Sequence, residues 1–252
     1  MSLSREGVMD YRLLIIGATS GVGRALAEVA ASRGARVVAV GRREDRLEAL
    51  SAGSEAKIHP LVGDVRSEDD CDRMVDGAVK LLGGLDGLLY AAGVSPLGRL
   101  VETASQDWQK VLETNVMGAA LVCRRCIPHL EASDGRALFV SSISANDPRP
   151  LLVPYGASKA ALDALIRGWR NEHPQLCFVR VVVGPTTTEM GADWEPAKVA
   201  ELTAVRAQRG LLRSTPMTPT EVADEVLSAL TSPVWIEDLR VVPRNTGNSP
   251  TA

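Results

Sequence analysis

Tyr155 and Lys159, in Tyr-Gly-Ala-Ser-Lys, are the groups of this chain best placed to do chemistry, and Ser142 lies thirteen positions before the tyrosine. Side chains four residues apart on a helix share a face, so the lysine ammonium can lie beside the phenol hydroxyl. A free phenol has a pKa of about 10, and bringing it to roughly 7 takes about 4 kcal/mol of preference for the phenolate. One cation at about 4 Å in an effective dielectric near 20 supplies roughly that much. The pair therefore predicts an acidic tyrosine that exchanges a proton near neutral pH. Because this spacing also occurs on many solvated helix faces, the rest of the chain must agree with it.

Short apolar runs recur along the chain at Leu13 to Ile16, Val37 to Val40, Ile58 to Val62, Gly87 to Ala91, Ala137 to Ser141, Phe178 to Val183 and Leu239 to Val242. Between them lie helical patterns at Gly23 to Arg33, Ser67 to Leu82, Ser105 to Leu130, Tyr155 to Glu172 and Thr220 to Leu230, with Ser67, Ser105 and Thr220 as capping residues. Near-continuous apolar strands alternating with helices predict a doubly wound α/β fold, a seven-stranded parallel sheet covered by helices on both faces. The 252 residues, 45% hydrophobic, suit one domain over 1–252. Arg244 to Ala252 read as a frayed polar tail.

Gly17-Ala18-Thr19-Ser20-Gly21-Val22-Gly23 joins the first run to the first helical pattern. Glycines allow a tight turn and close backbone approach, and a helix N-terminus offers free N–H groups to a pyrophosphate. The second run ends Gly41-Arg42-Arg43, where an NAD-selective chain would carry a carboxylate for the ribose diol. Two guanidiniums suit a 2′-phosphate instead, which favours NADP(H) with NAD(H) as the alternative. The bland reading makes Arg42 and Arg43 the solvated start of the next helix.

Taken together, these stretches resemble the short-chain dehydrogenase/reductase family, in order and on the expected elements from about Arg12 to Val242. The resemblance implies a Rossmann fold that binds a nicotinamide cofactor and a small carbonyl or alcohol substrate. It implies that Gly17, Thr19, Ser20, Gly21, Val22 and Gly23 hold the pyrophosphate side and that Asp64 and Val65 hold the adenine ring. Tyr90-Ala91-Ala92-Gly93 departs from the family's Asn-Asn-Ala-Gly, which leaves Ala91, Ala92 and Gly93 to meet the ribose by their backbone and puts the bracing of that strand in doubt. Val183-Gly184-Pro185-Thr186-Thr187-Thr188 resembles the family's Pro-Gly-x-x-x-Thr, so Gly184, Thr186 and Thr188 are expected at the carboxamide. The catalytic set implied is Asn115, Ser142, Tyr155 and Lys159: Tyr155 as acid and base, Ser142 as second donor to the carbonyl oxygen, Lys159 beside the phenol and on the nicotinamide ribose, Asn115 near a proton-relay water. Ser142 is chosen over Ser141 and Ser144 by the thirteen-residue count.

A net charge of −3 with both signs interspersed gives no footprint for nucleic acid or an anionic membrane. No apolar run approaches the ~20 residues of a membrane span, and the polar start Met1 to Asp10 suggests a cytoplasmic protein. The four cysteines read as reduced thiols, and no metal site is expected. Specificity is expected from Val94 to Leu97, Ile143 to Pro154 and a substrate lid at about 189–219. There Leu97, Leu151, Leu152, Met190, Trp194, Val199, Leu202 and Val205 either line an apolar pocket or pack the lid on the core. Arg149 reads as a solvated loop residue rather than a carboxylate partner. A homodimer or homotetramer through the two long helices is expected by resemblance, with Trp169 and Cys123 as interface or core residues. The sequence thus predicts an NADP(H)-dependent oxidoreductase interconverting a secondary alcohol and a ketone or aldehyde. The alternative is a catalytically retired dinucleotide sensor.

Overall fold

The computed structural model describes residues 10–54, 57–208, 210 and 215–244. Strands β1 (Arg12–Ile16), β2 (Arg36–Gly41), β3 (Ile58–Val62), β4 (Gly87–Tyr90), β5 (Arg136–Ser142), β6 (Cys177–Val183) and β7 (Asp238–Val241) each fall within one residue of the run expected for it. Among the described residues they form one seven-stranded sheet in the order β3-β2-β1-β4-β5-β6-β7, with every neighbouring pair parallel.

Both faces of the sheet are covered, which is why the strands read as unbroken apolar runs rather than alternating ones. Leu13 and Ile15 of β1 pack with α1 (Gly21–Ser32) and α8 (Pro219–Leu230). Leu14 and Ile16 face the other way, into a layer built from α3 (Glu68–Leu82), α5 (Gly118–Glu131) and α6 (Val153–Glu172). Cys123 is fully buried in that second layer, and Trp169 stacks on Phe139 with ring centroids 4.8 Å apart. Cys123 is therefore a core residue, while Trp169 is half-buried against the same layer.

The single helix expected over Ser105 to Leu130 is corrected to three pieces: α4 (Ser105–Leu112), a π-helical turn (Glu113–Met117) and α5. Gly118 closes the turn, where a Cβ would stand 2.7 Å from the Tyr90 hydroxyl and 2.8 Å from Val65. The wide turn carries Asn115 inward, as such bulges often do at functional positions. The helix that the bland reading of Arg42 and Arg43 places after β2 is α2 (Glu44–Ala52); it is not among the periodic patterns because it buries only Leu47 and Leu50, too thin a stripe. Its signal was the acidic first turn, Glu44 and Asp45. The α3 cap is as expected, since the Ser67 side chain accepts from the Asp70 N–H. For α8 the cap is Thr218, in a reciprocal capping box with Glu221 and with Pro following, rather than Thr220. Ser105 is the first residue of α4, and its cap position is Ala104.

Candidate active site

All strands point the same way, so the segments after β1, β4, β5 and β6 meet along one edge of the sheet, the edge where open α/β sheets take ligands. The glycine segment after β1 holds the tightest turn. Gly17 has φ 87°, and a Cβ there would stand 2.6 Å from the Ala92 amide nitrogen. A Cβ on Gly23 would come within 2.2 Å of the Gly17 carbonyl oxygen. Only glycine permits this approach of loop, helix and β4. Ser20 stands at the N-cap of α1 without a side-chain capping bond, so the helix presents its first N–H groups to the cleft. Val22 lies in the first turn, packed against the core layer beneath α1.

The arginines after β2 rim this loop. Arg43 donates through Nη2 to Thr19 Oγ1 at 2.8 Å and to Ser20 Oγ at 2.9 Å. Arg42 is exposed, with Nη1 4.0 Å from Asp64 Oδ2. Sequence reading missed two further members of the rim. Arg46, one turn along α2, donates to Glu189 beyond β6, and Arg43 Nη1 lies 3.5 Å from the same carboxylate. Asp64 itself is grasped by Arg66, Nη2 to Oδ2 at 2.6 Å, and that bond, ahead of Arg42, holds its carboxyl below the usual range. Val65 turns its side chain into the core, and its carbonyl accepts from the buried Cys71 thiol at 3.4 Å.

Where the expected asparagines are missing after β4, Tyr90 supplies the brace. Its buried hydroxyl donates to the Thr114 carbonyl at 2.6 Å and ties β4 to the π-helical turn. Asn115, fully buried, spends its amide in the same place: Oδ1 accepts from Val94 N–H at 2.8 Å, and Nδ2 donates to the Val94 carbonyl at 3.0 Å and Ser158 Oγ at 2.9 Å. Ser158 Oγ passes the chain on to the Tyr155 carbonyl at 2.7 Å. Ala91 and Ala92 continue into Gly93, where an added Cβ would lie 3.5 Å from Asn115 Oδ1 and 3.6 Å from Lys159 Nζ. Gly93, Asn115 and Lys159 therefore converge.

Ser142 ends β5 and opens a 3-10 turn, its Oγ accepting from Ser144 N–H at 3.1 Å. Tyr155 stands in the first turn of α6, and the Ser142 hydroxyl favours the ionised form of its phenol. The acidic tyrosine expected from the sequence is corrected here. Burial pushes the Tyr155 phenol above its ordinary value, and the Ser142 hydroxyl opposes that rise. Lys159 is nearly fully buried, with Nζ donating to the Val140 carbonyl at 2.7 Å and standing 5.7 Å from the phenol ring centroid. Burial also lowers its own pKa to about 8, with Asp163 opposing. The other two serines differ from Ser142: Ser141 Oγ bonds Asp163, and Ser144 is buried in the 3-10 turn.

Across the cleft, Gly184 N–H donates to the Val241 carbonyl at 2.9 Å, and Thr186 Oγ1 donates back to the Gly184 carbonyl at 3.0 Å. Thr188 lies against the glycine loop, its Cγ2 3.2 Å from where a Gly21 Cβ would be. The lid follows as α7 (Pro196–Gln208); residues 209 and 211–214 of the expected 189–219 span lie outside the described residues. Leu97, Leu151, Leu152 and Leu202 form a third cluster with Trp194 and Val205 against it. Met190 and Val199 stay exposed. Arg149 pairs with Asp147 at 3.1 Å. The free cysteines Cys71, Cys123, Cys126 and Cys177 are buried, and burial raises each thiol's pKa. Among the described residues no cluster of His, Cys, Asp and Glu gathers with metal-binding geometry, and no helix is long and apolar enough to cross a membrane.

A parallel sheet with a glycine-turned first loop, and a serine, a tyrosine and a buried lysine on the elements that follow β5, define a doubly wound protein of the dinucleotide-binding kind. The family model for short chain dehydrogenase matches residues 12–198, and the chain belongs to that family. It is 34% identical over 195 residues to "11-beta-hydroxysteroid dehydrogenase-like 3" of Arabidopsis thaliana, covering 75% of this chain and 63% of that protein. It is 36% identical over 170 residues to "Dehydrogenase/reductase SDR family member 2, mitochondrial" of Homo sapiens, covering 66% and 61%. The matches thus span a little over three fifths of those relatives' length. A solved structure, an alcohol dehydrogenase from the archaeon Thermococcus sibiricus complexed with 5-hydroxy-NADP, superposes with a TM-score of 0.80 over 97% of this chain and 100% of that one, at 22% identity. That likeness is one of fold.

Proposed function

We propose that the chain is a single-domain NADP(H)-dependent oxidoreductase that interconverts a secondary alcohol and a ketone or aldehyde, with Tyr155 as general acid and base. The observation that carries this reading is the convergence of Gly93, Asn115 and Lys159 at the strand-end edge, with Ser142 closing β5 and Tyr155 in the first turn of α6. The nicotinamide cofactor would supply or accept the hydride. Residues 17–23 and the α1 N-terminus suit its pyrophosphate, while Asp64, Val65 and 91–93 lie along the adenosine side. Gly184, Thr186 and Thr188 close the cleft opposite.

In reduction, negative charge grows on the carbonyl oxygen, and two donors aimed at it lower the barrier. Tyr155 gives that oxygen its proton, and Ser142 donates the second hydrogen bond. The raised phenol pKa keeps Tyr155 protonated and ready to donate near neutral pH. In oxidation the phenolate takes the proton back, which requires the Lys159 ammonium to turn from the Val140 carbonyl towards the phenol oxygen and the ribose. Asn115 holds the 93–94 backbone and, through Ser158, the first turn of α6. Arg42 and Arg43, joined by Arg46, favour a 2′-phosphate over a bare ribose diol.

Tyr155→Phe is expected to keep NADPH binding by calorimetry and to lose at least about a hundredfold in turnover of a ketone panel. Full activity in that variant would sink the mechanism. Intact cofactor binding by the wild type with no turnover of any carbonyl would favour the sensor reading. Arg42→Ala is expected to lose the preference for NADPH over NADH. Self-association and a cytoplasmic site of action belong to the same reading, for light scattering and cell fractionation to check.

A further inference from the structure

Asp163 lies one helical turn beyond Lys159 on α6, only 3% exposed. Both of its carboxylate oxygens are held from the sheet beneath. Ser141 Oγ donates to Oδ1 at 2.5 Å and Arg180 Nη1 to Oδ2 at 3.1 Å. Successive strand residues alternate faces, so Ser141 and Arg180 share the α6 face of β5 and β6 with buried Phe139 and Phe178. Arg180 is anchored in turn by Asp238 of β7, Nε to Oδ1 at 2.7 Å. The carboxylate thus accepts from a hydroxyl on one oxygen and from a guanidinium on the other.

This placement matters because of what surrounds Lys159. Its own helix brings the Tyr155 phenol and Asp163. The end of β5 offers neutral groups, the Val140 carbonyl and the hydroxyls of Ser141 and Ser142, and the π-helical turn offers the neutral amide of Asn115. The charges on β6 and β7, Arg180 and Asp238, are already paired. Among the described residues Asp163 is the carboxylate that opposes the effect of burial on this ammonium. Ser141 also precedes Ser142 on β5, so the Ser141–Asp163 bond sets the register between the strand end that carries Ser142 and the helix that carries Tyr155 and Lys159.

We propose that Asp163 is a positioning residue of the active site: fixed by Ser141 and Arg180, it sets a negative charge one helical turn from Lys159, on the core side of the ammonium. The inference rests on the reading of Lys159 as the partner of Tyr155 and of the cofactor ribose. A residue that merely ties α6 to the sheet would affect stability alone.

NADPH binding followed by fluorescence titration between about pH 6 and pH 9 separates the two. In the wild type, affinity is expected to weaken as the pH passes about 8, where Lys159 loses its proton. In Asp163→Asn the weakening should begin about one pH unit lower, so that affinity at pH 8 relative to pH 6 falls up to about tenfold more than in the wild type. Asp163→Glu, which keeps the charge, should restore the wild-type onset. A loss by the same factor at every pH would overturn the proposal. If Asp163→Asn does not fold, Arg180→Gln, which leaves the carboxylate's charge less neutralised, should shift the onset to higher pH, and an unshifted onset there overturns the proposal equally. Failure of the wild type to bind NADPH at any pH defeats the cofactor reading instead, whereas wild-type binding with an unshifted variant profile defeats only the role of Asp163.

Discussion

Lys159 is held in the folded state against its own hydration. Burial moves it from 10.5 to about 8, which corresponds to about 3 kcal/mol of preference for the neutral amine. Because the folded pKa lies below the unfolded one, an unfolded chain binds more protons between about pH 8 and 10, and this lysine adds stability as the pH rises through that window. The buried thiols act in the opposite sense above about pH 9, since their folded pKa values are raised. The difference between wild type and Lys159→Met isolates the lysine. The variant is expected to be about 1–2 kcal/mol more stable at pH 7 by urea melts, with that advantage shrinking towards pH 10, while cofactor binding weakens. An advantage that grew with pH would contradict the assigned sign. Ser142, Tyr155, Lys159 and Asn115 were legible as residues because their spacing is local or matches a known family pattern. Asp163 was not, since an aspartate within Ala-Leu-Asp-Ala-Leu reads as an ordinary polar position until the Arg180 contact is seen.

At the scale of elements, the π-helical turn between α4 and α5 decides where Asn115 points, and Tyr90 decides where the turn sits. The Tyr90 hydroxyl is the buried partner of the Thr114 carbonyl, and Gly118 leaves the space for it. Tyr90→Phe keeps the ring and orphans that carbonyl, a loss expected at about 1–2 kcal/mol in a denaturant melt. Cofactor affinity should drop with it, because the turn carries Asn115 and through it the 93–94 backbone. Unchanged stability would mean that the strand is braced elsewhere. The element pattern was read from periodicity except where periodicity was thin: α2 buries two side chains, and the π-helical turn sits inside a stretch whose composition is helical throughout.

Across the whole molecule, the most distant contact at the cofactor edge joins Glu189 at the start of the lid to Arg43 and Arg46 beside the glycine loop. The Arg46 contact, ahead of burial, lowers the Glu189 carboxyl pKa. All three side chains are well exposed, so the link should contribute little to global stability. It spans the path a cofactor would take. Glu189→Gln is expected to leave the melting temperature unchanged and to raise the rate at which NADPH leaves by several-fold in stopped-flow displacement, as befits a tie across a cleft. A lower melting temperature with an unchanged release rate would make the contact structural.

The chain by itself determined the parallel sheet, the glycine turn and the Ser–Tyr–Lys constellation, because each is encoded over a few residues: apolar runs of strand length, glycines that alone fit a turn, and side chains one helical turn apart. Tertiary structure decided the electrostatics. Desolvation has no sequence signature, so only the fold could show the phenol shifted upward, the Lys159 ammonium turned to the Val140 carbonyl, and a carboxylate fixed beneath it by residues of two neighbouring strands. It also decided that Arg43 meets Thr19 and Ser20, and that Arg46 meets Glu189. Those partners lie from 23 to 143 positions apart along the chain, and only the folding of the sheet brings them to one edge.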